Sequence, residues 1–508
     1  MPIFPLGQIN TTALEVADVY IQIVPPQYLL NGVPSNIGGL VGAASWGPID
    51  QPQTFGSLAQ YQAIFGPLKN RAFDMGTWAA ICFELGATAI KGVRVTDGSE
   101  ARATVTVQTS CLTINSKWTG THGNTTKVYI GPGSRPSTTM VRVSMPGLLP
   151  EIFDNLAGSG NALWLAMASA INNGIPGQRG PSQMITATAG AGTAAPTTAT
   201  LSLSGGTDGA SGLEANDLIG EDTLPRKGMY ALRNQNVSLA ALCDVTDHTL
   251  WATQNTFGSR EGIMMFSAGA AGQSIATARS NKNNAGLDDY ASKILLGDHV
   301  YWNDSYNGIP QRLVSPAPFA MGKYLALAPH RSGLNKRVSN IAATEKSMTG
   351  LPYTTADLQE LALGNIDVIC NPAPGGNYFA LRNGRNASSS PATRNDTYTR
   401  MTNYIAATLN RGMGIYIGEL QSRQAKDETR RRAKATLDAF LTAMKQQGQI
   451  DDFQVVLDLT NNTPQRIALG YMQADVQVVY MSVVEYFIIN VEGGQTVEIK
   501  RVSLEQAA

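Results

Sequence analysis

Two short apolar strands with two helices between them decide the fold. Ile37-Gly38-Gly39-Leu40-Val41-Gly42-Ala43-Ala44 is glycine-rich and apolar, and Trp46-Gly47-Pro48 stops it, so it reads as a buried strand. Ser57 can cap a short helix that ends at Gly66-Pro67, a pairing of N-cap and C-terminal glycine. Ala72 to Leu85 reads as a second helix, with Phe73, Trp78, Ile81, Cys82 and Leu85 on roughly one face and Gly86 at its end. Ala89 to Val95 is then a strand. Strand, helix and strand in this order predict a parallel crossover unit and an α/β layer.

Working outward, Val19, Ile21 and Ile23 alternate with Tyr20 and Gln22 and predict an N-terminal strand, which Pro25-Pro26 ends. After Asp97 the composition shifts to Thr, Ser, Gly and Ala. Ala103 to Val107, Lys127 to Ile130 and Met140 to Val143 are strand-like there, and Leu163 to Ile171 is helix-like. Ala187 to Thr200 is low in complexity and reads as a flexible connection. Residues 97–204 are thus expected to be an inserted, mainly β domain. The α/β pattern then resumes. Gly228 to Leu232, Leu239 to Leu242 and Gly262 to Phe266 read as strands. Asp288 to Leu296, a helix that Thr355 caps and that runs through Leu363, and Tyr398 to Asn410 read as helical. The longest helix expected is Gln421 to Gln447, with Ala433, Leu437, Phe440, Leu441 and Met444 as its apolar stripe. Arg423, Lys426, Arg430, Arg431, Arg432 and Lys434 lie opposite. Phe453 to Leu459 and Tyr480 to Val491 read as strands, Gly493-Gly494 as a hinge, and Val497 and Ile499 mark a last short strand.

The chain has 508 residues, 38 Lys+Arg against 38 Asp+Glu, and only 15% charged residues. A basic nucleic-acid binder and a charge-rich disordered chain are both excluded by these figures. A surface with few charges and no net charge repels its own copies weakly, which favours association. The charges are also separated. Residues 1–68 carry only Glu15, Asp18 and Asp50, while cations concentrate at Arg430 to Lys434. That cluster reads either as a solvated helix face or as a docking surface for an acidic partner. The N-terminus lacks the basic start and apolar core of a secretory signal. No apolar run reaches the ~20 residues of a membrane helix.

Chemistry is sparse. The sequence has no phosphate-cradling GxxxxGK[ST] loop, no GxGxxG after a strand, no HExxH and no GxSxG elbow. Cys82, Cys111, Cys243 and Cys370 are far apart, as are His122, His248, His299 and His330, so neither set has metal-ligand spacing. No catalytic residue, cofactor or metal is expected. An α/β hydrolase with Asp247 or His248 and a remote serine is the competing enzymatic reading, because triads are set by geometry. Asp288-Asp289 and Asp451-Asp452 fit turn and helix-start roles.

The ordered motifs resemble those of contractile tail sheath proteins from bacteriophages and related injection machines. Val16 to Gln22 looks like that family's opening strand, and Val41 to Pro48 like its glycine-rich strand with a following Gly-Pro. Ile64-Phe65-Gly66 resembles the end of its short helix, and Gly92-Val93-Arg94-Val95 the strand closing the unit. Ser116 to Asn124 resembles the stretch leading into its insertion, although His122 stands where Trp is usual and the order of Trp and Gly differs. Gly205-Gly206-Thr207-Asp208-Gly209 resembles the return to the core, and Asn461-Asn462-Thr463-Pro464 a motif before the last strands.

The resemblance implies an α/β core, subtilisin-like in outline, with an inserted mainly β domain and extended N- and C-terminal β-strand arms. Its expected parts are an arm at 1–25, core at 26–96 and 205–492, an insertion at 97–204 and an arm at 493–508. It also implies a subunit that polymerises around a tail tube as a helical stack of six-fold rings. Contraction of a metastable lattice drives the tube through a bacterial envelope without nucleotide. Val19, Ile21, Ile23, Val497 and Ile499 would then be arm residues joining copies. Arg423, Lys426, Arg430, Arg431, Arg432 and Lys434 would dock on the tube or a neighbour. The implied partners are itself, the tube, the baseplate and a tail terminator, with no direct nucleic acid and no membrane insertion. The implied place is the virion tail, after synthesis in the host bacterial cytoplasm. A headless contractile bacteriocin or a secretion-type machine is the alternative setting.

Overall fold

Leu40 faces one hydrophobic core and Val41 another, the period of two expected of a strand buried on both sides. The computed structural model describes residues 3–4, 21–22, 30–425 and 427–489. Its central sheet has six strands in the order Ser292–Leu295, Met264–Ala268, Leu239–Leu242, Ile37–Gly42, Ala89–Arg94 and Gln53–Phe55. All neighbours are parallel except the last pair. The crossover expected between Ile37–Gly42 and Ala89–Arg94 is present, in register Leu40 to Gly92.

One face of the sheet is covered by helices Leu58–Phe65, Met75–Glu84 and Ala317–Leu325, whose Phe65, Trp78, Ile81, Phe319 and Tyr324 pack with Leu40 and Phe266. Ser57 caps the first of these, as its sequence suggests, and Asp74 caps the second. The other face buries Val41, Val93, Leu232, Phe257 and Met265. The glycines of the central strand permit this close layering. A Cβ on Gly39 would lie 2.8 Å from Val237 Cγ1, and one on Gly42 would lie 2.6 Å from the Phe73 carbonyl oxygen.

Two expectations fail in this half. Asp288 to Leu296, read as helical, supplies the edge strand Ser292–Leu295, all four residues of which are buried. A run that short has no period to distinguish helix from strand. Gly228 to Leu232, read as a strand, is a 3₁₀ turn that Gly228 enters at φ 56°.

Between Arg102 and Ser202 the chain builds two antiparallel sheets. Glu151–Leu156, Thr139–Ser144, Lys127–Pro132 and Ala199–Ser202 form one, and Ile185–Ala189, Leu112–Thr119 and Arg102–Val107 the other. With helix Asn161–Asn173 they enclose a separate core of Ile114, Val128, Val141, Phe153, Trp164 and Met167, which Trp46 of the body joins. The stretch 187–200 is pinned, contrary to its low-complexity reading. Trp164 Nε1 donates to Ala194 O at 2.9 Å, and the Gly190 and Gly192 amides donate to Cys111 O and Ser110 O, both at 2.8 Å.

The last part of the chain packs helices Asp396–Gly412 and Glu428–Gln446 against the hairpin Ile450–Val456 and Asp475–Tyr480. Met401, Ile405, Leu437, Phe440, Leu441, Met444, Ile450 and Val455 are its buried core. Each such side chain contributes about 1.5–3 kcal/mol on full burial.

Candidate functional site

In an open α/β sheet, ligands bind beyond the carboxyl ends of the strands, where the strand order reverses. Here that point is Ile37–Gly42, flanked by Ala89–Arg94 on one side and Leu239–Leu242 on the other. The chain itself occupies this place. Arg94, buried at the end of its strand, donates to Gly47 O at 2.8 Å, Thr119 O at 2.7 Å and Asp208 O at 3.1 Å. Burial brings its guanidinium down to about 10, against the opposing pull of Asp208.

Asp208 is the centre of the cluster. Its Oδ1 accepts from the Thr121 amide at 2.6 Å and hydroxyl at 2.8 Å. Its Oδ2 meets Arg71 Nη1 at 2.6 Å and Lys69 Nζ at 3.2 Å. Burial pushes this carboxyl up, but the Thr121 amide, Arg71, the Thr121 hydroxyl and Lys69 outweigh it, so Asp208 lies below the usual carboxylate range. Arg71 also pairs with buried Asp74 at 3.0 Å.

The segment leading into the insertion and the segment returning from it are bonded to each other. Asn124 Nδ2 donates to Gly206 O at 3.0 Å, and the Gly206 amide returns a bond to Asn124 Oδ1 at 2.7 Å. The His122 amide donates to Ser45 O at 3.2 Å, and its ring meets Trp46 edge-on. Two stretches singled out in the sequence, Ser116 to Asn124 and Gly205 to Gly209, are therefore bonded to each other over the switch point.

The hydrolase reading finds no geometry. Asp247 Oδ1 is taken by the Thr249 amide at 2.9 Å and hydroxyl at 2.8 Å, which starts a 3₁₀ turn, and His248 lies edge-on to Trp251. Asp288 is bonded to the amide and hydroxyl of Ser389, Asp289 to Asn255 and Asp452 to Lys445. All four cysteines are buried, and burial pushes the Cys370 thiol up to about 11. Among the described residues no group of three or more His, Cys, Asp or Glu could hold a metal ion. A cavity of about 700 Å³ lies at the other, amino end of the sheet, between residues 234–238 and helix Asp396–Gly412. It is lined by asparagines, Arg260, Arg411, Ser238, Ser259 and Glu261, whose carboxylate is held by Arg233 at 2.8 Å.

The basic helix differs from its sequence reading. It begins at Glu428, not Gln421, because the Asp427 side chain caps it through the Arg430 amide at 2.9 Å. Arg423 is exposed on the preceding loop, and Lys426 lies outside the described residues. Arg430 is 2% exposed and donates to Ser422 O at 2.8 Å and to Gln424 O, so it organises that loop. Arg431 and Arg432 are exposed, and Lys434 is half-buried.

Of the arm residues, Val19, Ile23, Val497 and Ile499 lie outside the described residues, as do Pro25-Pro26 and Gly493-Gly494. Ile21–Gln22 pairs in parallel with Ile3–Phe4. The strand expected over Tyr480 to Val491 is replaced by Asp475–Tyr480, which pairs with Ile450–Val456. Residues 481–489 follow without secondary structure. Tyr486, Phe487, Ile488 and Ile489 in that segment are 75, 82, 83 and 69% exposed. Glu485 holds its base through Arg385 at 2.9 Å. The sequence marks this apolar run as a strand, Tyr480 to Val491, but not as an exposed segment without a strand partner among the described residues.

Residues 388–493 match the family described as phage tail sheath C-terminal domain. No curated protein matches the chain. Among solved structures it is similar to the sheath tail protein of Desulfitobacterium hafniense, at 16% identity and a TM-score of 0.57 over 87% of this chain and 94% of that one. The sheath tail protein of Listeria innocua gives 13% identity and 0.60 over 89% and 96%. The contracted sheath of an extracellular contractile injection system, PVC, gives 12% and 0.54 over 96% and 99%. The chain thus has the fold of tail sheath proteins and, over residues 388–493, the sequence pattern of the phage tail sheath C-terminal domain.

Proposed function

We propose that this chain is the subunit of a contractile sheath, a structural protein that polymerises around a tail tube and contracts. The observation that carries the reading is the exposed apolar segment 481–489 beside a two-stranded sheet, Ile450–Val456 and Asp475–Tyr480, that pairs with no further strand among the described residues. A segment with apolar side chains and unpaired backbone next to open sheet edges suits strand addition between copies. The arms at 1–25 and 493–508, with Val19, Ile21, Ile23, Val497 and Ile499, extend the same logic to both chain ends. Pro25-Pro26 and Gly493-Gly494 would let the body, a core of subtilisin-like outline carrying its insertion at 97–204, rotate while arms stay bonded.

The energy of contraction would reside in the lattice, with no nucleotide, as the absence of a phosphate loop from the sequence suggests. Arg423, Arg431, Arg432 and Lys434 are the cations placed to dock on the tube or a neighbour, and baseplate and terminator proteins would close the ends. Neither nucleic acid nor membrane insertion enters the mechanism. No helix among the described residues is long and apolar enough to cross a membrane. The setting is a phage tail, made in the bacterial host, or a headless injection machine.

Negative-stain electron microscopy of the overexpressed chain tests this. Striated tubes or stacked rings are expected. Deleting 1–24 or 495–508 should leave a folded subunit that does not polymerise, and tubes formed by those truncations would refute strand exchange.

A further inference from the structure

The two ends of the parallel sheet differ in charge. At the carboxyl end, Asp97 follows strand Ala89–Arg94, and its Oδ2 accepts from the Gly212 amide at 2.7 Å. Glu100 packs on Gly209, where an added Cβ would lie 2.9 Å from its own Cβ. Glu214 and Asp217 cap the next helix, Ala215–Ile219, two residues beyond Gly212. Four carboxylates therefore surround one loop, 209–217. Asp97 and Glu100 are half-buried, and Glu214 and Asp217 are exposed. None of them is ion-paired among the described residues. Of the neighbouring cations, Arg226 and Lys227 are held by Asp222 and Glu221, and Arg94, near Glu100, is buried on backbone carbonyls.

At the amino end the sign is opposite. Helix Ala317–Leu325 ends there, since Leu325 and Met321 lie against Gly38, the second residue of the central strand. Lys323 sits on its last turn beside Lys336, and Arg331 follows in the turn closed by its amide on Ala328 O at 3.0 Å. Burial first, and then the charge of Lys336, hold the Lys323 ammonium below its usual value. Lys336 and Arg331 are exposed, and none of the three is ion-paired among the described residues. Of the nearby carboxylates, Glu84 is turned to Trp302 Nε1 at 3.1 Å and Asn340 Nδ2 at 3.2 Å, and buried Asp396 accepts from the Ser332 hydroxyl at 2.8 Å and the Gly333 amide at 3.0 Å.

We infer that copies of this chain dock head to tail, with the acidic face of Asp97, Glu100, Glu214 and Asp217 on one copy against the basic face of Lys323, Arg331 and Lys336 on the next. The inference rests on the sheath reading and adds to it a second kind of contact, between bodies and not between arms. Two different faces at opposite ends of one sheet make a heterologous interface, and such an interface propagates into rings or helical strands. Exposed charge pairs are individually weak, but complementary faces steer approach and fix orientation, and a lattice repeats them at every contact.

Reversing the charges tests this on the full chain. Glu214→Lys with Asp217→Lys reverses one face, Arg331→Glu with Lys336→Glu reverses the other, and a third variant carries all four. All four side chains are exposed. Arg331→Glu with Lys336→Glu should keep the parent's melting temperature. Glu214→Lys with Asp217→Lys also loses the cap of helix Ala215–Ile219 and should melt lower, so assembly is compared at a temperature where circular dichroism shows every variant folded. Assembly is read as the pelleted fraction in ultracentrifugation and as oligomer size in sedimentation velocity, at about 0.1 M salt, where charges act over about 10 Å. Each single-face variant should lower the pelleted fraction about tenfold, and the four-fold variant should restore it to within about twofold of the parent. Single-face variants that assemble like the parent overturn the inference and leave the sheath reading standing. So does a four-fold variant no better than its halves. A parent that forms charge-dependent oligomers but never tubes overturns the sheath reading alone, and a parent that stays monomeric overturns both.

Discussion

Asp208 shows what one side chain does in this protein. It ties Lys69 and Arg71 of the body to Thr121 of the insertion, and so locks two segments that are 87 residues apart in sequence. Asp208→Asn would keep its shape and remove its charge, leaving Arg71 and Lys69 facing a neutral group. A loss of about 3 kcal/mol is expected, as for breaking one side of a buried pair. Its folded carboxyl lies below the unfolded value, so the stabilisation is present above about pH 4 and is lost as pH falls through the folded pKa. Thermal unfolding from pH 7 to pH 2 should therefore drop more steeply for the parent than for Asp208→Asn. Equal slopes would show that Asp208 is not the coupled group. The sequence made residues 205–209 visible as a motif, but not its partners, because ion pairing across a fold leaves no local pattern.

At the scale of elements, the sequence was legible where the signals were local. Ser57 with Gly66, the apolar stripe Ala433 to Met444 and the strand-like run Ala103 to Val107 each lie within one segment. The short helix and the strand form as read, and the stripe is buried in helix Glu428–Gln446, which starts later than the Gln421 read from the sequence. It was illegible where a partner decides. Ser292–Leu295 becomes a strand because Met264–Ala268 lies beside it, and residues 481–489 have no strand partner among the described residues. The basic helix illustrates the same limit: six cations read as one face, yet Arg430 turns inward. Arg430→Ala should remove its bonds to Ser422 O and Gln424 O, destabilise by about 1.5–3 kcal/mol, and open residues 421–425 to protease. Arg431→Ala with Arg432→Ala should change stability by about 0.5 kcal/mol or less. Denaturant midpoints of the two variants decide between these roles, and equal midpoints would mean that Arg430 is no more structural than its neighbours.

At the scale of the whole molecule, low charge and an exposed apolar segment act in the same direction. A chain with 15% charged residues and no net charge has little electrostatic resistance to contact with its copies. It also holds Phe487 and Ile489 in water, a state that burial against a neighbour would relieve. Each would contribute about 1.5–3 kcal/mol on burial, against the ordering of a flexible segment. Phe487→Ser with Ile489→Ser should therefore leave the melting temperature of the free subunit within about 2 °C of the parent, since neither side chain is packed there. The critical concentration for assembly should rise by about a hundredfold or more, because every 1.4 kcal/mol is about a factor of ten in an equilibrium constant. Light scattering over a dilution series reads both chains directly. A variant that assembles at the parent's concentration would place segment 481–489 outside the lattice contacts, and strand addition would then have to run through other residues.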